Sequence, residues 1–279
     1  MSEIAVTGAT GRIGGGVARR LAESGVAQRL LVRDPARAPD LPRSTVAVCS
    51  YDDGPAVRAA LDGVATAFMV SGAEHPDRVG QHLSFVDSAV AAGVTHLVYL
   101  SFYGAAPEAT FTLARDHWAT EEHIRRSGVA YTFLRDNLYL DFLPMMAGED
   151  GVIRGPAGDG RMAGVAQDDV ADVAAAVLRA PREHAAATYH LTGPEALSLA
   201  EAAEVLTRVT GRPHSYRPET LEEAYASRAV YGAPSWQVDA WVSTYTAIAA
   251  GELLPVTDDV ARVAGHPPRS LADVVATSS

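Results

Sequence analysis

Apolar positions in the first 140 residues fall into short continuous runs separated by amphipathic stretches. IAVTGA (4–9), QRLLVR (28–33), TVAVCS (45–50), ATAFMVSG (65–72), THLVYLS (95–101) and AYTFLR (130–135) read as strands. Between them GGGVARRLAESG (14–25), DGPAVRAALDGV (53–64), PDRVGQHLSFVDSAVAAG (76–93) and ARDHWATEEHIRRSG (114–128) read as helices, the first stopped by Gly25 and the last by Gly128. Continuous apolar strands alternating with helices predict a parallel sheet covered on both faces. Beyond about residue 141 the pattern loosens. The glycine-rich segment 145–169 predicts a loop or short hairpin over the strand ends. A helix over 168–181, a late strand over 187–194 and a helix over 198–211 with a Ser198/Glu201 capping box follow, and 218–252 is mostly helical. The expected organisation is an α/β, doubly wound parallel sheet in residues 1–140. Residues 141–279 supply its remaining elements and a smaller, mostly helical C-terminal lobe that binds substrate.

Charge narrows the partners. A formal net charge of −11 argues against nucleic acid, which calls for a clustered basic face. No apolar run reaches the roughly 18 residues of a spanning helix, and the chain enters a strand almost at once, so a cytoplasmic protein is expected, with no membrane partner. It is expected to be a monomer or homodimer. The single cysteine, Cys49, lies in an apolar run and reads as a buried structural thiol. All 23 basic residues are arginine. A chain without lysine has no Schiff base, no P-loop lysine and no lysine general base.

VTGATGRIGGG (6–16) places Gly8, Gly11 and Gly14 between a first strand and a first helix, the setting of a dinucleotide-binding (Rossmann) loop. In that setting Gly8 makes a tight turn, Gly11 lets the backbone approach a pyrophosphate, and Gly14 allows close helix packing. At the end of the second strand a carboxylate would hold the ribose 2′-hydroxyl of NAD, and an arginine the 2′-phosphate of NADP. LLVRDPAR puts Arg33 there with Asp34 behind it, so NADP is expected ahead of NAD.

TGATGRIG, LVRDPARA, GVTHLVYLS and SGVAYTFLRDNLY together resemble the NmrA-like, atypical branch of the short-chain dehydrogenase/reductases. HWATE (117–121) brings the chain nearest to the NADPH-dependent quinone oxidoreductases and triphenylmethane-dye reductases of that branch. The resemblance covers residues 3–180 well and the C-terminal lobe loosely. It implies that Gly8, Thr10, Gly11, Arg12, Ile13 and Gly14 line the phosphates, that Arg33 meets the 2′-phosphate and that Asp52 contacts the adenine. It also implies that Val70, Ser71 and Gly72 pass beneath the nicotinamide ribose.

The wider superfamily uses a Tyr-x-x-x-Lys pair on the helix that 114–128 would form, to protonate a carbonyl oxygen. Here His117 stands where the lysine would be, and Leu113 where the tyrosine would be. His117 has two readings: an imidazole facing cofactor or substrate, or a satisfied packing residue. Ser101, at a strand end, can hydrogen-bond a substrate oxygen, and Tyr103 can reach the site from its loop. Asn137 and Tyr139 follow the sixth strand at the carboxyl edge where ligands bind. Trp236, with Trp241 and Tyr245, forms either an aromatic wall for substrate or ordinary core. Glu121–Arg125 and Glu122–Arg126 read as surface i,i+4 pairs. No histidine pair or His/Cys cluster has metal-ligand spacing, and no metal is expected.

The resulting expectation is an NAD(P)H-dependent oxidoreductase that passes hydride to a quinone-like or conjugated small molecule. The alternative is a non-catalytic NADP(H)-binding redox sensor acting through a protein partner. Reduction of a carbonyl or imine also suits the fold.

Overall fold

The computed structural model describes residues 3–277. Eleven strands are present among them: β1 Ile4–Thr7, β2 Gln28–Val32, β3 Ser44–Val48, β4 Thr66–Met69, β5 His96–Phe102, β6 Ala130–Asp136, β7 Val152–Gly155, β8 Arg161–Met162, β9 Ala187–Leu191, β10 Leu197–Ser198 and β11 Ser215–Pro218. The first five helices are α1 Arg12–Glu23, α2 Gly54–Ala60, α3 Arg78–Ala91, α4 Thr112–Ser127 and α5 Leu143–Met146. The others are α6 Gln167–Arg179, α7 Leu199–Thr210, α8 Leu221–Arg228, α9 Ser235–Ala249, α10 Asp259–Ala264 and α11 Leu271–Thr277.

Seven strands form one sheet in the order β3-β2-β1-β4-β5-β6-β9. The pairs from β3 through β5 are parallel, as uninterrupted apolar strands joined by helices require. The chain winds outward from β1 in one direction and then, from β4, in the other. That reversal leaves a crevice at the carboxyl ends of β1 and β4, the usual ligand position in such sheets. The strand β3 is the least buried of the seven: it closes the edge, and Val46 and Val48 face solvent.

The chain divides into two compact units. The first comprises the chain up to Phe102 with Asp116–Arg135 and Asp168–Tyr189, and the second Tyr103–Arg115, Asp136–Gln167 and the chain from His190 onward. One core of the first unit packs Leu31, Met69, Phe85, Leu97, Tyr99, Ile124 and Phe133 between helices and sheet. In the second unit the 145–169 segment departs from the loop or hairpin expected of it. Its two strands pair with distant partners, β7 in parallel with β11 and β8 antiparallel to β10. Gly155 and Gly160 leave no room for a Cβ, which would fall 2.2 Å from the Tyr245 ring and 2.4 Å from the Ile248 carbonyl oxygen. The glycines there serve close packing as well as turning. No helix among the described residues is long and apolar enough to cross a membrane.

Candidate functional site

The loop after β1 is built around two glycines. Gly8 has φ +63° and faces the Val70 side chain, which a Cβ would meet at 3.1 Å. A Cβ on Gly14 would fall 2.3 Å from the Gly8 carbonyl oxygen, so only glycine lets α1 seat directly on the turn. Gly11 N–H donates to Gly8 O at 2.9 Å and is the N-cap of α1 without a side-chain cap, which leaves that helix end open to an anion. Thr10, Gly11 and Arg12 are exposed, whereas Ile13 and Gly14 are buried under them.

A knot of hydrogen bonds joins three strand ends beneath this loop. Val70 N–H donates to Thr7 Oγ1 at 2.8 Å, Thr7 Oγ1 lies 2.6 Å from the Tyr51 hydroxyl, and Tyr51 donates to Val70 O at 2.6 Å. Burial keeps the Tyr51 phenol protonated, its pKa pushed up by desolvation against the lowering effect of the Thr7 hydrogen bond. A cleft of about 480 Å³ opens above, lined by Gly8, Thr10, Arg33, Ser50, Tyr51, Asp52, Gly72 and His75 among others. Cys49 belongs to the same wall, and its thiol is raised to about 11 by desolvation, which leaves it inert.

The Arg33/Asp34 choice has a geometric answer. Asp34 Oδ1 accepts from Ala36 N–H at 3.0 Å and caps a short turn, so its carboxylate is turned away from a ribose role. Arg33 is exposed on the cleft wall, and among the described residues no ion pair engages it. The open helix end, the glycine packing and the uncommitted arginine suit a dinucleotide that carries a 2′-phosphate.

Below the 70–72 segment lies a closed polar network from α3, α4 and β5. Gly72 N–H donates to His82 Nε2 at 2.8 Å, and Gly72 O accepts from Arg78 Nε at 2.9 Å. Arg78 Nη2 reaches His117 Nε2 at 3.0 Å, and Nη1 reaches Asp116 Oδ2 at 3.3 Å. A guanidinium only donates, so His117 Nε2 is an acceptor and the ring proton sits on Nδ1, 2.9 Å from the Tyr99 hydroxyl. By the same logic His82 carries its proton on Nδ1 and donates to Thr120 Oγ1 at 2.9 Å, which donates to Asp116 O. Both imidazoles are neutral: desolvation, then the nearby Arg78 charge, lowers His82 to about 3 and holds His117 well below its ordinary value. Asp116 is raised by desolvation in spite of Arg78.

Ser101 is fully buried and donates to Glu121 Oε1 at 2.6 Å. Glu121 also takes a two-pronged contact from Arg135, at 2.8 and 2.6 Å, and one from Arg125 at 3.1 Å. This corrects the surface reading of Glu121–Arg125. The carboxylate has no exposure and the ion pair is one edge of a buried cluster, whereas Glu122–Arg126 is peripheral. The i,i+4 spacing is the same in either setting, and it is β5 and β6 that bury Glu121.

The remaining predicted residues lie in the second unit. Tyr103 is buried against His190 and donates to Pro255 O at 3.3 Å. Asn137 is buried, its amide bonded to Leu253 O and its carbonyl to Leu138 N–H. The Tyr139 hydroxyl bonds Asp136 Oδ2. This unit has its own cavity of about 620 Å³, walled by Met145, Met146, Val152, Tyr231, Trp241 and Tyr245. The Arg228 guanidinium lies 5.0 Å from the centre of the Tyr245 ring. Trp236, half-buried on α9, is not among the lining residues, whereas Trp241 and Tyr245 are.

Several residues of these networks escape a reading of the sequence, among them Tyr51, Arg78, His82 and Tyr99. Arg78 and His82 do carry one signal, an i,i+4 polar pair on a helix whose other face is apolar.

The model of the NmrA-like family matches residues 1–232. The chain is 34% identical over 275 residues to an NAD(P)H azoreductase of Xenophilus azovorans, covering 97% of this chain and 96% of that protein. It is 32% identical over 279 residues to quinone oxidoreductase 2 of Escherichia coli, covering 98% and 97%. The crystal structure of that NADPH-dependent enzyme complexed with NADPH superposes with a TM-score of 0.90, over 99% of this chain and 100% of the other, at 31% identity. The Citrobacter sp. triphenylmethane reductase complexed with NADP(H) gives 0.89 at 30% identity, with coverage of 99% and 100%.

Proposed function

The chain belongs to the NmrA-like family, and we propose that within it this protein is an NADPH-dependent reductase of quinone-like or otherwise conjugated small molecules. One observation carries the reading. At the position where a lysine would support acid catalysis, both nitrogens of His117 are engaged and its ring is neutral, which leaves no proton donor there. A carbonyl needs such a donor as its oxygen takes up charge. A quinone or azo acceptor spreads the incoming charge over a conjugated system and can be protonated by water, and a cationic triphenylmethane dye is neutralised by the hydride itself and needs no proton.

NADPH supplies the hydride when bound. The chain's own residues do the holding. Gly8, Thr10, Gly11 and Arg12 with the open end of α1 receive the diphosphate over buried Ile13 and Gly14, Arg33 the 2′-phosphate, and Asp52 the adenosine side of the cleft. Val70, Ser71 and Gly72 underlie the nicotinamide ribose. His117 and Ser101 act by holding neighbouring groups rather than by moving protons. The aromatic cavity of the second unit suits a flat, apolar acceptor, with Tyr103, Asn137 and Tyr139 shaping the loops of that unit and Trp236 supporting the helix that bears Trp241 and Tyr245.

The test is NADPH oxidation followed by absorbance with a panel of quinones, azo dyes and triphenylmethane dyes, beside a simple ketone and an imine. Turnover of conjugated acceptors with the ketone and imine inert is expected. Tight NADPH binding without turnover of any acceptor would replace the reductase by a redox sensor acting through a partner protein.

A further inference from the structure

We propose that Arg78 is the cofactor-positioning residue of this site, clamping the Gly72 peptide through its carbonyl while its other end is anchored on His117 and Asp116. The proposal rests on the reading that residues 70–72 underlie the nicotinamide ribose. Arg78 is 5% exposed. A guanidinium is expensive to bury unless several of its donors are used. Its fork spans three acceptors on two elements: Nε on Gly72 O, Nη1 on Asp116 Oδ2 and Nη2 on His117 Nε2.

The peptide on the other side of the same Cα is also held, because Gly72 N–H donates to His82 Nε2. Arg78 and His82, four residues apart on α3, therefore grip both polar groups of one glycine. Gly72 itself has little slack, since a Cβ there would meet His82 Nε2 at 3.2 Å. Each gripping side chain is backed by α4: Arg78 by Asp116 and His117, His82 by Thr120. The Tyr99 hydroxyl, 2.9 Å from His117 Nδ1 and 3.5 Å from His82 Nδ1, closes the ring from β5. In a lysine-free chain the fixed cation at this place comes from the neighbouring helix, and the residue at the lysine position is its acceptor. Histidine suits that role because a neutral imidazole nitrogen accepts from arginine, whereas a lysine there would repel it.

Lysine cannot replace Arg78 in this geometry, because one ammonium cannot span Gly72 O and His117 Nε2 together. The experiment compares wild type with Arg78→Lys, Arg78→Met and His117→Gln, reading NADPH Kd by fluorescence, KM for NADPH and for a quinone separately, kcat, and Tm. Arg78→Lys keeps the charge and should remain folded, with NADPH Kd and KM raised on the order of tenfold and quinone KM unchanged. The double variant Arg78→Lys/His117→Gln should weaken NADPH by less than the product of the single effects, as expected of residues in one chain of contacts. NADPH affinity in Arg78→Lys equal to wild type, or an equal rise in both KM values, would overturn the proposal. A lowered Tm with unchanged Kd in the folded fraction of Arg78→Met would do the same. Absence of NADPH binding by wild type would instead remove the reading on which the proposal stands.

Discussion

Arg33 and Asp34 are neighbours of opposite charge, and sequence alone sets both before the same ribose. The structure separates them through a turn: the Asp34 carboxylate is consumed as a cap for Ala36 N–H, and Arg33 is left on the cleft wall. Arg33→Ser should therefore raise Kd for NADPH by about 10- to 100-fold, the worth of a hydrogen bond to a charged group, and leave NADH nearly unchanged. Parallel titrations with the two cofactors check it, and equal weakening of both would remove Arg33 from 2′-phosphate recognition. His117 can be judged by the same kind of arithmetic. Loss of a general acid costs about 10²- to 10⁴-fold in rate. A neutral ring with both nitrogens engaged predicts that His117→Gln lowers kcat less than tenfold, with any larger effect falling on NADPH affinity. A kcat loss of the larger size, with a changed pH profile, would return His117 to acid catalysis.

At the scale of elements, the turn between β1 and α1 is the most constrained piece of backbone at the site. Gly14→Ala sets a methyl 2.3 Å from Gly8 O and 2.6 Å from Thr7 O, both backbone atoms that cannot rotate away. The helix must shift off the turn, at about 1–3 kcal/mol for overpacking, and the open amides of α1 move with it. The variant should lose Tm and NADPH affinity together, and wild-type values of both would show that the turn has slack. This turn was legible in the sequence because strand, glycines and helix are contiguous. The strands of the main sheet were legible for a related reason: an uninterrupted apolar run carries its own prediction. The pairings β7 with β11 and β8 with β10 were not, because each partner lies far along the chain and glycine-rich sequence looks the same in a loop and in a tightly packed strand. Glu121 and Arg78 were hidden in the same way. Helical spacing displays their i,i+4 neighbours, but Ser101 and Arg135 for one, and Gly72 and His117 for the other, come from different elements.

For the molecule as a whole, the buried neutral histidines set the response to acid. His82 is lowered to about 3, and His117 and His96 are also lowered, in each case chiefly by desolvation. In the unfolded chain these rings titrate near their ordinary value of about 6.5. Between that value and the depressed folded values the unfolded state binds more protons, so stability rises with pH through this window and is fully present above it. Each such histidine removes up to about 1.4 kcal/mol per pH unit as the pH falls below the unfolded value. Losses of that size accumulate quickly against a typical stability of about 5–15 kcal/mol. Urea midpoints measured at fixed ionic strength should be level from pH 8 to pH 7 and fall steadily below about 6.5. His82→Gln tests the assignment, since an amide can still accept from Gly72 N–H and donate to Thr120 without taking up a proton in the unfolded chain. It should start from a lower plateau and show a shallower acid slope than wild type. Parallel slopes in the two proteins would mean that His82 does not contribute, and a flat wild-type profile down to pH 5 would remove the histidines as the source of acid sensitivity.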